Sequence, residues 1–408
     1  MENGELKVKK DWEIKKLGEV CQIKGGKRIP KGKKLLTEKT LHPYIRVTDF
    51  TDDGTVSLND IHYISDEIYE TIKQYTITTS DVFISIAGTI GKVGIIPSEL
   101  NNANLTENAC KLILNDKLYN KYLVYVFQSD KIKAITQDNA RANAMPKLSI
   151  TRLSNIAIPI PPLEEQKRIV KILDEKFAQL ESLKANAQTN LQNAKDLFQS
   201  QLTKAFSNTT WEKNRLGDIC SKIVDGTHNS PPNTKEGDYQ YITAKNIKLS
   251  GIDLSDITYV TKEIHESIYS RCNPEKGDVL LIKDGATTGI AVVNELDYQF
   301  SMLSSVALLK FDRNILDSYC LAYLLNSDET YKRFRAKMEG AAITRLTLVK
   351  IKDFEIPLPP LPEQKRIVKE LDTLSEKVRQ LQEIYTKQIA NCTELKQSLL
   401  QKAFEGEL

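Results

Sequence analysis

The sequence predicts a mixed α/β (α+β) fold in which two similar domains are separated by two long helices. These helices are expected to form an antiparallel coiled coil with pseudo-two-fold symmetry. Three observations predict this class: an internal repeat, two long apolar seams free of Gly and Pro, and intervening blocks that contain strand-like and helix-like runs. The chain has 408 residues, which is enough for two or three ordinary domains.

An internal repeat relates the two halves of the chain. Residues 159–171 read PIPPLEEQKRIVK and residues 357–369 read PLPPLPEQKRIVK, so 11 of 13 positions are identical at an offset of 198 residues. The two halves also begin alike, because Trp12 and Trp211 each stand five residues before a Leu-Gly pair. A period near 200 is too long for a solenoid, and it indicates two copies of one domain plus one helix.

Each copy of the constant block predicts a long helix. Its Pro-rich lead-in cannot continue a helix, whereas Pro in a first turn and acids such as Glu164, Glu165 and Glu363 favour a helix start. Positions spaced alternately by three and four residues are apolar at nine of 11 sites from 170 to 205, and again from 367 to 402. Such a seam is typical of a coiled coil. The alternative is two helices packed separately on globular domains.

The helix length sets the expected layout. About 44 residues at about 1.5 Å each give a rod of roughly 65 Å, and the linker of residues 207–210 is short. We therefore expect the two domains to lie at opposite ends of the rod. The predicted boundaries are residues 1–158 for the first domain, 159–206 for a central helical spacer, 211–356 for the second domain and 357–408 for a distal helical spacer.

The two variable blocks have mixed secondary-structure signals. β-branched and apolar runs predict strands at residues 44–47, 81–86, 91–96, 241–244, 278–282 and 290–293. Helix-like runs cover residues 118–136 and 317–337. Gly-rich clusters at residues 88–91 and 285–289 predict tight turns between strands, where backbone also has room to approach a ligand.

Composition argues against a membrane span, a secreted protein and a metal site. No stretch approaches 18 consecutive apolar residues, and the polar, Lys-rich N-terminus lacks the apolar run of a secretory signal. We therefore expect a cytoplasmic protein. The six cysteines and four histidines are scattered without short paired spacing, which favours reduced, buried thiols over a zinc cluster.

A basic loop is predicted at residues 24–34. Six cations occur there without an intervening acid, and three glycines and a proline interrupt the run. A Gly-rich basic loop is able to follow a phosphate backbone closely, although a solvated loop has the same composition. The candidate phosphate contacts in this loop are Lys24, Lys27, Arg28, Lys31, Lys33 and Lys34.

No catalytic motif is evident in the sequence. The nearest string to an Asn/Asp-Pro-Pro-Tyr/Phe methyltransferase motif, at residues 229–233, has the wrong order, and neither a G-x-G-x-x-G loop nor a G-x-x-x-x-G-K-[ST] loop occurs. The E-x-K strings at Glu165–Lys167 and Glu363–Lys365 match the end of a nuclease signature, but they open helices directly after Pro-Pro. We therefore predict a chain that is not itself an enzyme.

The doubled pattern I-P-[IL]-P-P-L-x-E-Q-K-R-I-V-K, at residues 158–171 and 356–369, resembles the specificity subunits of type I restriction–modification enzymes. The Trp-x4-Leu-Gly-[ED] strings at Trp12 and Trp211, the Asp-Gly-Thr-His string at residues 225–228, and Gly277 to Leu280 followed by Gly285 are similar to that family's target-recognition domains. The first domain departs from this pattern, because the basic loop replaces the Asp-Gly-Thr-His string.

The resemblance implies that each domain reads one half of a split target in double-stranded DNA, and that the helices set the unread gap. It also implies partners: two modification (methyltransferase) subunits and restriction (endonuclease and translocase) subunits. The cofactors S-adenosylmethionine, ATP and Mg would belong to those partners, with none in this chain. The alternative is a non-catalytic protein-interaction scaffold with a coiled coil.

Candidate DNA contacts in the domains follow from this implied role, because cations position the phosphate backbone and polar side chains specify bases. Further phosphate-contact candidates lie in the second domain: Lys245, Lys248 and Lys283. The base-reading candidates are Arg46, Thr48 and Thr89 in the first domain and Thr227, His228, Asn229, Asn246, Asp284 and Thr287 in the second.

Overall fold

A computed structural model describes residues 9, 11–141, 146–338 and 345–408. The chain forms two compact units, Met1–Ala187 with Lys387–Leu408, and Gln188–Thr386. Each unit therefore contains one variable block together with parts of both long helices, and the two are described separately below.

Unit 1 is built from short strands and helices in the order β1 to β10 and α1 to α6. Their bounds are β1 Glu13–Lys16, α1 Leu17–Val20, β2 Cys21–Gly25, β3 Pro43–Ile45, β4 His62–Tyr63, α2 Asp66–Ile72, β5 Thr76–Ile77, β6 Val82–Ser85, β7 Val93–Gly94, β8 Ala103–Leu105, β9 Ala109–Leu114, α3 Asn120–Gln128, α4 Asp130–Arg141, α5 Ile150–Ser154, β10 Ala157–Ile160 and α6 Leu163–Ala205. Helix α6 continues into the residues of unit 2.

Three sheets organise unit 1. One has the strand order β2-β9-β6-β7 with antiparallel pairs, a second has the order β4-β3-β8-β5 with β3 and β8 parallel, and β1 pairs with β10. The inner strand β6 is buried at all four positions, which explains its apolar run Val82, Phe83 and Ile84. The core lies between the first sheet, helices α3 and α4, and the start of α6.

Unit 2 repeats this plan. Its elements are β11 Lys213–Arg215, α7 Leu216–Ile219, β12 Cys220–Asp225, β13 Tyr239–Ile242, β14 Ile247–Lys248, β15 Gly251–Ile252, β16 Thr258–Val260, α8 Lys262–Tyr269, β17 Val279–Ile282, β18 Ala291–Val293, β19 Ser301–Met302, β20 Val306–Phe311, α9 Ser318–Leu325, α10 Asp328–Ala336, α11 Leu348–Lys352, β21 Glu355–Pro357 and α12 Leu361–Glu405. Helix α12 ends among the residues of unit 1.

The main sheets of the two units correspond, although the second sheet has four strands in unit 1 and three in unit 2, which also has the separate pair β14 and β15. The order β12-β20-β17-β18 matches β2-β9-β6-β7, and the parallel pair β13 and β19 matches β3 and β8. The pair β11 and β21 likewise matches β1 and β10. The predicted mixed α/β class with two copies of one domain is therefore confirmed.

The helix-like runs predicted at residues 118–136 and 317–337 are helical, but each consists of two helices with a break between them. Helix α3 stops at Ser129 before α4, and α9 stops before Ser327, whose hydroxyl accepts a hydrogen bond from the Thr330 N–H and begins α10. A Ser at a helix N-terminus satisfies a free N–H group, which favours the break. The predicted basic loop also starts later than expected, because Lys24 and Gly25 belong to β2.

The predicted apolar seam of α6 is its less exposed face. Val170, Leu173, Phe177, Ala187 and Ala194 are buried there, and the remaining seam positions are half-buried. In unit 1 this face packs against α12 in the antiparallel direction, since Lys396 lies 3.5 Å from Glu181 while the Arg168 guanidinium donates to the Leu408 carbonyl.

The seam predicted for α12 is wrong near its C-terminal end. Leu395 and Lys402 are exposed, whereas Leu400, Ala403 and Phe404 are buried against unit 1. A straight helix has 3.6 residues per turn, so a strict seven-residue pattern drifts around its surface and the contact shifts to neighbouring positions.

A buried glutamine explains why the E-Q-K string occurs twice. Gln166 has no exposed surface; its Oε1 accepts from the Tyr119 N–H at 2.9 Å, and its Nε2 donates to the carbonyls of Lys117 and Pro161. Gln364 makes the same three bonds, to the Asp317 N–H and to the carbonyls of Ile315 and Pro359. Each glutamine therefore fastens the start of a long helix to its own domain.

The six cysteines are free and buried, as their scattered spacing predicts. Burial raises the pKa of five of these thiols to about 12: Cys21, Cys110, Cys220, Cys272 and Cys320. Among the residues that the structure describes, no helix combines the length and apolarity needed to cross a membrane.

Candidate nucleic-acid interface

In the first domain, several candidate loops meet at one short segment, residues 105–109, which we call hub 1. The Lys27 N–H donates to the Leu105 carbonyl, and the Gly26 N–H donates to the Ala109 carbonyl. Strand β3 reaches the same place, because the Thr106 N–H donates to the carbonyl of Ile45, the residue before Arg46. The ends of β2 and β3 are thereby held side by side.

The turn that carries Thr89 also begins at hub 1. The N–H groups of Ile86 and Ala87 both donate to the Asn108 carbonyl, and the turn follows directly. Its glycines Gly88 and Gly91 have positive φ angles of 74° and 90°, which accounts for glycine at both positions. Thr89 is exposed between them.

The second domain has an equivalent segment, residues 302–305, which we call hub 2. The Thr227 N–H donates to the Met302 carbonyl, and the Leu303 N–H donates to the carbonyl of Ile242 at the end of β13. The Lys283 N–H, at the end of β17, donates to the Ser305 carbonyl. Three strand ends that bear candidate residues therefore converge here as well.

Close backbone packing at each hub requires a glycine. Gly26 lies against the Leu105 and Thr106 carbonyls and Gly226 against the Met302 carbonyl, so a Cβ at either position would collide with backbone. The two glycines occupy the same place in the repeat. Lys27 and Arg28 therefore stand where the second domain has Thr227 and His228.

The basic loop is exposed, but several of its cations are paired within the chain. The Arg28 Nε lies 2.6 Å from Glu107 Oε1, and Lys33 lies 2.7 Å from Glu67. Lys27 lies over the Tyr75 ring, 5.7 Å from its centroid. In the described part of the chain, no ion pair involves Lys24, Lys31 or Lys34, all three of which are exposed.

The carboxylate of Glu107 is adapted to holding Arg28. Partial burial raises its pKa, but hydrogen bonds from its own backbone N–H and from Arg28 lower it more, and the net pKa lies below the ordinary value. Glu107 belongs to hub 1, while the Arg28 side chain is 77% exposed. The pair presents a guanidinium outward from the hub, and the planar fork of Arg suits both phosphates and guanine.

Arg46 is also held by carboxylates. Its Nη2 lies 2.7 Å from Asp49 Oδ1 and 3.2 Å from Asp60 Oδ2. Thr48 is exposed beside it, and its hydroxyl lies 3.3 Å from Asp49 Oδ1. Arg46 and Thr48 both remain candidate base contacts. Arg46 would have to exchange its carboxylate partners to contact a base, whereas the exposed Thr48 has no ion pair to break.

In the second domain, Thr227, His228 and Asn229 follow β12 at hub 2. His228 and Asn229 are exposed, and the Thr227 hydroxyl donates to the Asn229 carbonyl at 3.1 Å. The cations differ in their surroundings, since Lys245 pairs with Asp256 at 3.0 Å whereas Lys248 is exposed.

Asn246 is buried and engaged within the domain. Its Oδ1 accepts from the Thr243 N–H at 3.0 Å, and its Nδ2 donates to the Asp253 carbonyl.

Thr287 lies exposed in the turn of residues 285–289, whose Gly285 and Gly289 have positive φ angles of 99° and 105°.

Lys283 and Asp284 form a charged cluster with Asp225. Lys283 Nζ lies 3.0 Å from Asp284 Oδ2 and 3.5 Å from Asp225 Oδ2, and only 9% of the Lys283 side chain is exposed. Two exposed side chains border the cluster, His228 at 3.4 Å from Asp225 and Arg345 at 3.9 Å from Asp284.

Sequence reasoning missed Glu107, Asp225, Arg271 and Arg345 as members of these sites. Arg271 lies 3.7 Å from Asp225 and donates to the Gly226 carbonyl. These residues are separated by tens of residues from their partners, so no local pattern signals them. Asp225 had one available signal, since it begins the Asp-Gly-Thr-His string.

The E-x-K strings do not form a carboxylate site. Glu165 pairs with Arg168 at 2.7 Å, and Glu363 pairs with Arg366 at the same distance. Within residues 9, 11–141, 146–338 and 345–408, no group of three or more His, Cys, Asp or Glu side chains is arranged to hold a metal ion.

Curated relatives are similar to this chain over much of its length. The type I restriction enzyme MjaVIII specificity subunit of Methanocaldococcus jannaschii is 24% identical over 396 residues, which cover 90% of this chain and 87% of the relative. The type I restriction enzyme EcoKI specificity subunit of Escherichia coli is 25% identical over 272 residues, which cover 62% of this chain and 58% of the relative.

Solved structures share the fold. The HsdS subunit from Thermoanaerobacter tengcongensis aligns with a TM-score of 0.62 at 23% identity over the full length of both chains. A chain from work on complex assembly and conformational transition of the type I R-M system aligns with a TM-score of 0.78 at 23% identity, covering 98% of this chain and 100% of the other.

The type I restriction modification DNA specificity domain matches twice, at residues 9–191 and 208–389. These two matches coincide with the two halves of the internal repeat, each with its own hub of converging loops. The chain belongs to the type I restriction modification DNA specificity family.

Proposed function

We propose that this chain is the sequence-reading subunit of a type I restriction–modification complex, in which each domain reads one half of a bipartite DNA target. The observation that carries the proposal is the repeated hub. In both domains the ends of three strands bring cationic and polar side chains to one edge, which is the arrangement expected for a surface that contacts phosphates and base edges together.

The candidate residues have two proposed roles. Exposed cations of the basic loop and Lys248 contact phosphates and fix the register on the duplex. Exposed polar residues beside the hubs, such as Thr89, His228 and Thr287, contact base edges. For Lys245 and Arg46, DNA phosphates or bases would replace the carboxylates that now pair with them.

Catalysis is assigned to partner subunits. The curated relatives are specificity subunits, and by that likeness two modification subunits and the restriction subunits would dock on this chain. Those partners would supply S-adenosylmethionine, ATP and Mg chemistry, and the assembled complex would act on DNA in the cytoplasm. The continuous helices α6 and α12 would set the unread gap and offer the docking surface.

The first test is specific binding by the complex assembled with its modification subunits. We expect tight binding to one bipartite duplex, with affinity falling steeply as the salt concentration rises, because cations that neutralise phosphates release counterions. An affinity for duplex DNA that is flat with salt and equal for all sequences would instead favour a protein-interaction scaffold.

A second test separates DNA recognition from methyl transfer. The isolated chain, incubated with labelled S-adenosylmethionine and mixed-sequence DNA, is expected to transfer no methyl group, whereas the assembled complex methylates its target. Methyl transfer by the isolated chain would overturn the assignment of catalysis to the partners.

A further inference from the structure

The charged cluster of the second domain buries three ionisable side chains at one point. Asp225 and Lys283 are 3% and 8% exposed as residues, and the side chain of Asp284 is 16% exposed. Lys283 lies between the two carboxylates, at 3.5 Å from Asp225 and 3.0 Å from Asp284. Removing such charges from water is unfavourable, so a buried ion network is weak support for stability.

The first domain makes the same backbone structure without these charges. The Leu346 N–H donates to the Lys283 carbonyl just as the Leu148 N–H donates to the Ile86 carbonyl, so Ile86 is the equivalent of Lys283. Isolated antiparallel β-bridges pair the backbone of Asp284 with Arg345 and that of Ala87 with Lys147. They extend the equivalence of the two domains by one residue. Ala87 is therefore the equivalent of Asp284.

The hub glycines identify the residue of the first domain that is equivalent to Asp225. Gly226 packs against hub 2 as Gly26 packs against hub 1, and the residue before each is Asp225 or Gly25. The fold thus accepts Gly25, Ile86 and Ala87 in one copy. The charges in the other copy are not required by the backbone, and their presence calls for a function at the surface of hub 2.

One atom of the cluster lacks a hydrogen-bond partner. Asp284 Oδ2 accepts from Lys283, but Asp284 Oδ1 is buried and accepts no hydrogen bond. Arg345 Nε lies 3.9 Å from this oxygen, which is beyond hydrogen-bond distance, and the Arg345 side chain is 64% exposed. A buried carboxylate oxygen without a donor is unfavourable unless a ligand supplies one.

We propose that Asp284 Oδ1 reads an exocyclic amino group on a base edge in the major groove of the second half-site. The inference rests on the proposed function and names one contact within it. Lys283 and Asp225 hold the carboxylate in position, and Arg345 turns away toward a phosphate when DNA binds. Cytosine fits best, because its N4 amino group is a donor with no neighbouring acceptor, whereas adenine places its N7 acceptor beside the N6 amino group.

The test uses the residues that the first domain already carries. The triple variant Asp225→Gly, Lys283→Ile, Asp284→Ala removes the cluster and should fold, since the same backbone exists with those residues in unit 1. The matched control is Asp297→Ala, which removes an exposed carboxylate elsewhere in the second domain. A second variant, Asp284→Asn, keeps the side-chain shape but removes the negative charge.

Each variant is assembled with the modification subunits and assayed against duplexes that carry every base at every target position. We expect the triple variant to lose about tenfold or more of its discrimination at one position of the second half-site, with the first half-site unchanged. Asp284→Asn should lose part of that discrimination, and Asp297→Ala should lose none. The lost preference should be for a G·C pair, whose cytosine presents the N4 donor on one of the two strands.

Three results would overturn the inference. Unchanged discrimination at every position of the second half-site would exclude a reading role, and a lost preference for an A·T pair would exclude cytosine as the base that is read. A lower melting temperature with losses at many positions would assign the cluster to stability. Absence of any sequence preference in the unaltered complex would instead refute the proposed function itself.

Discussion

At the scale of single residues, the basic loop beside hub 1 combines cations that form ion pairs with cations that form none within the described residues. Arg28 is held by Glu107, whereas Lys24, Lys31 and Lys34 have no recorded ion pair within the described residues. A paired cation keeps a defined direction, and a free one follows the phosphate backbone with little geometric demand. In the proposed function both kinds contact phosphates, and the paired ones do so in a more fixed direction.

Replacing Lys27 and Arg28 by Ala should weaken DNA binding without changing the preferred sequence, because both are candidate phosphate contacts. The slope of log affinity against log salt concentration should become shallower by up to about two, since each phosphate contact contributes about 0.9. Fluorescence anisotropy of the assembled complex at several salt concentrations measures this slope.

The control for that variant is Lys117→Ala, which removes an exposed cation beyond the far end of β9 from hub 1. It should leave both affinity and slope unchanged. Because Lys27 and Arg28 stand where the second domain has Thr227 and His228, an altered base preference in the first half-site would mean that they read bases instead.

Residue pairs at the hubs could not be predicted from the sequence. Arg28 and Glu107 are 79 residues apart, and Lys283 meets Asp225 only after β12 and β17 are in the same sheet. The loop of cations was recognisable because it is local. Its partners, and the burial of Asn246 and Lys283, depend on contacts that only the folded domain creates.

At the scale of elements, the buried glutamine at the start of each long helix joins helix and domain. Gln166 and Gln364 each satisfy one backbone N–H and two carbonyls. The conserved geometry explains why the E-Q-K string is the most faithfully repeated part of the chain. A nuclease-like carboxylate site has no part in it, because the flanking glutamates pair with arginines of the same helix.

Gln166→Ala and Gln364→Ala should each lower the free energy of unfolding by about 2–4 kcal/mol, because buried backbone groups lose their partners. Lys167→Ala, one residue along the same helix and exposed, should change it by less than about 0.5 kcal/mol. Thermal and denaturant unfolding of the full chain measure the difference. A loss as small as that of the control would show that the glutamine bonds do not stabilise the helix attachment.

The long helices were predictable because their seams and Pro-rich starts are strong local signals. The variable blocks were less predictable, since very short strands such as β4, β5 and β7 carry too few residues for a periodic pattern. The breaks at Ser129 and Ser327 were missed because the apolar spacing continues across them. The Ser327 hydroxyl accepts from the Thr330 N–H and favours a new helix start, whereas the Ser129 hydroxyl donates to the Val126 carbonyl at the end of α3.

At the scale of the whole molecule, the two halves of the chain repeat one another. One domain plan and one helix plan occur twice in one chain, with the same strand order in the sheet β2-β9-β6-β7 and its counterpart β12-β20-β17-β18, and the same glutamine bonds in each copy. A chain built in this way offers two similar surfaces that differ in their hub residues, so each is able to read a different short sequence.

Inserting seven residues into both long helices, after Ala187 and after Thr386, should lengthen the unread gap and leave both half-sites unchanged. Seven helical residues rise about 10.5 Å, which corresponds to at most about three base pairs. Methylation mapping of plasmid DNA modified by the altered complex measures the gap. An unaltered gap would contradict the role of the helices as a spacer. A seven-residue insertion after Asp297, in an exposed loop outside the candidate DNA contacts, serves as a control that should not alter the gap.

The most direct test that the two domains read DNA separately is methylation mapping. The complex is assembled around the unaltered chain and around the variant His228→Ala, Asn229→Ala. We expect one bipartite motif with a fixed gap for the unaltered complex, and relaxed specificity confined to the half-site read by the second domain for the variant. A continuous motif, or a variant that changes both half-sites together, would contradict the claim that two domains of this chain read DNA separately.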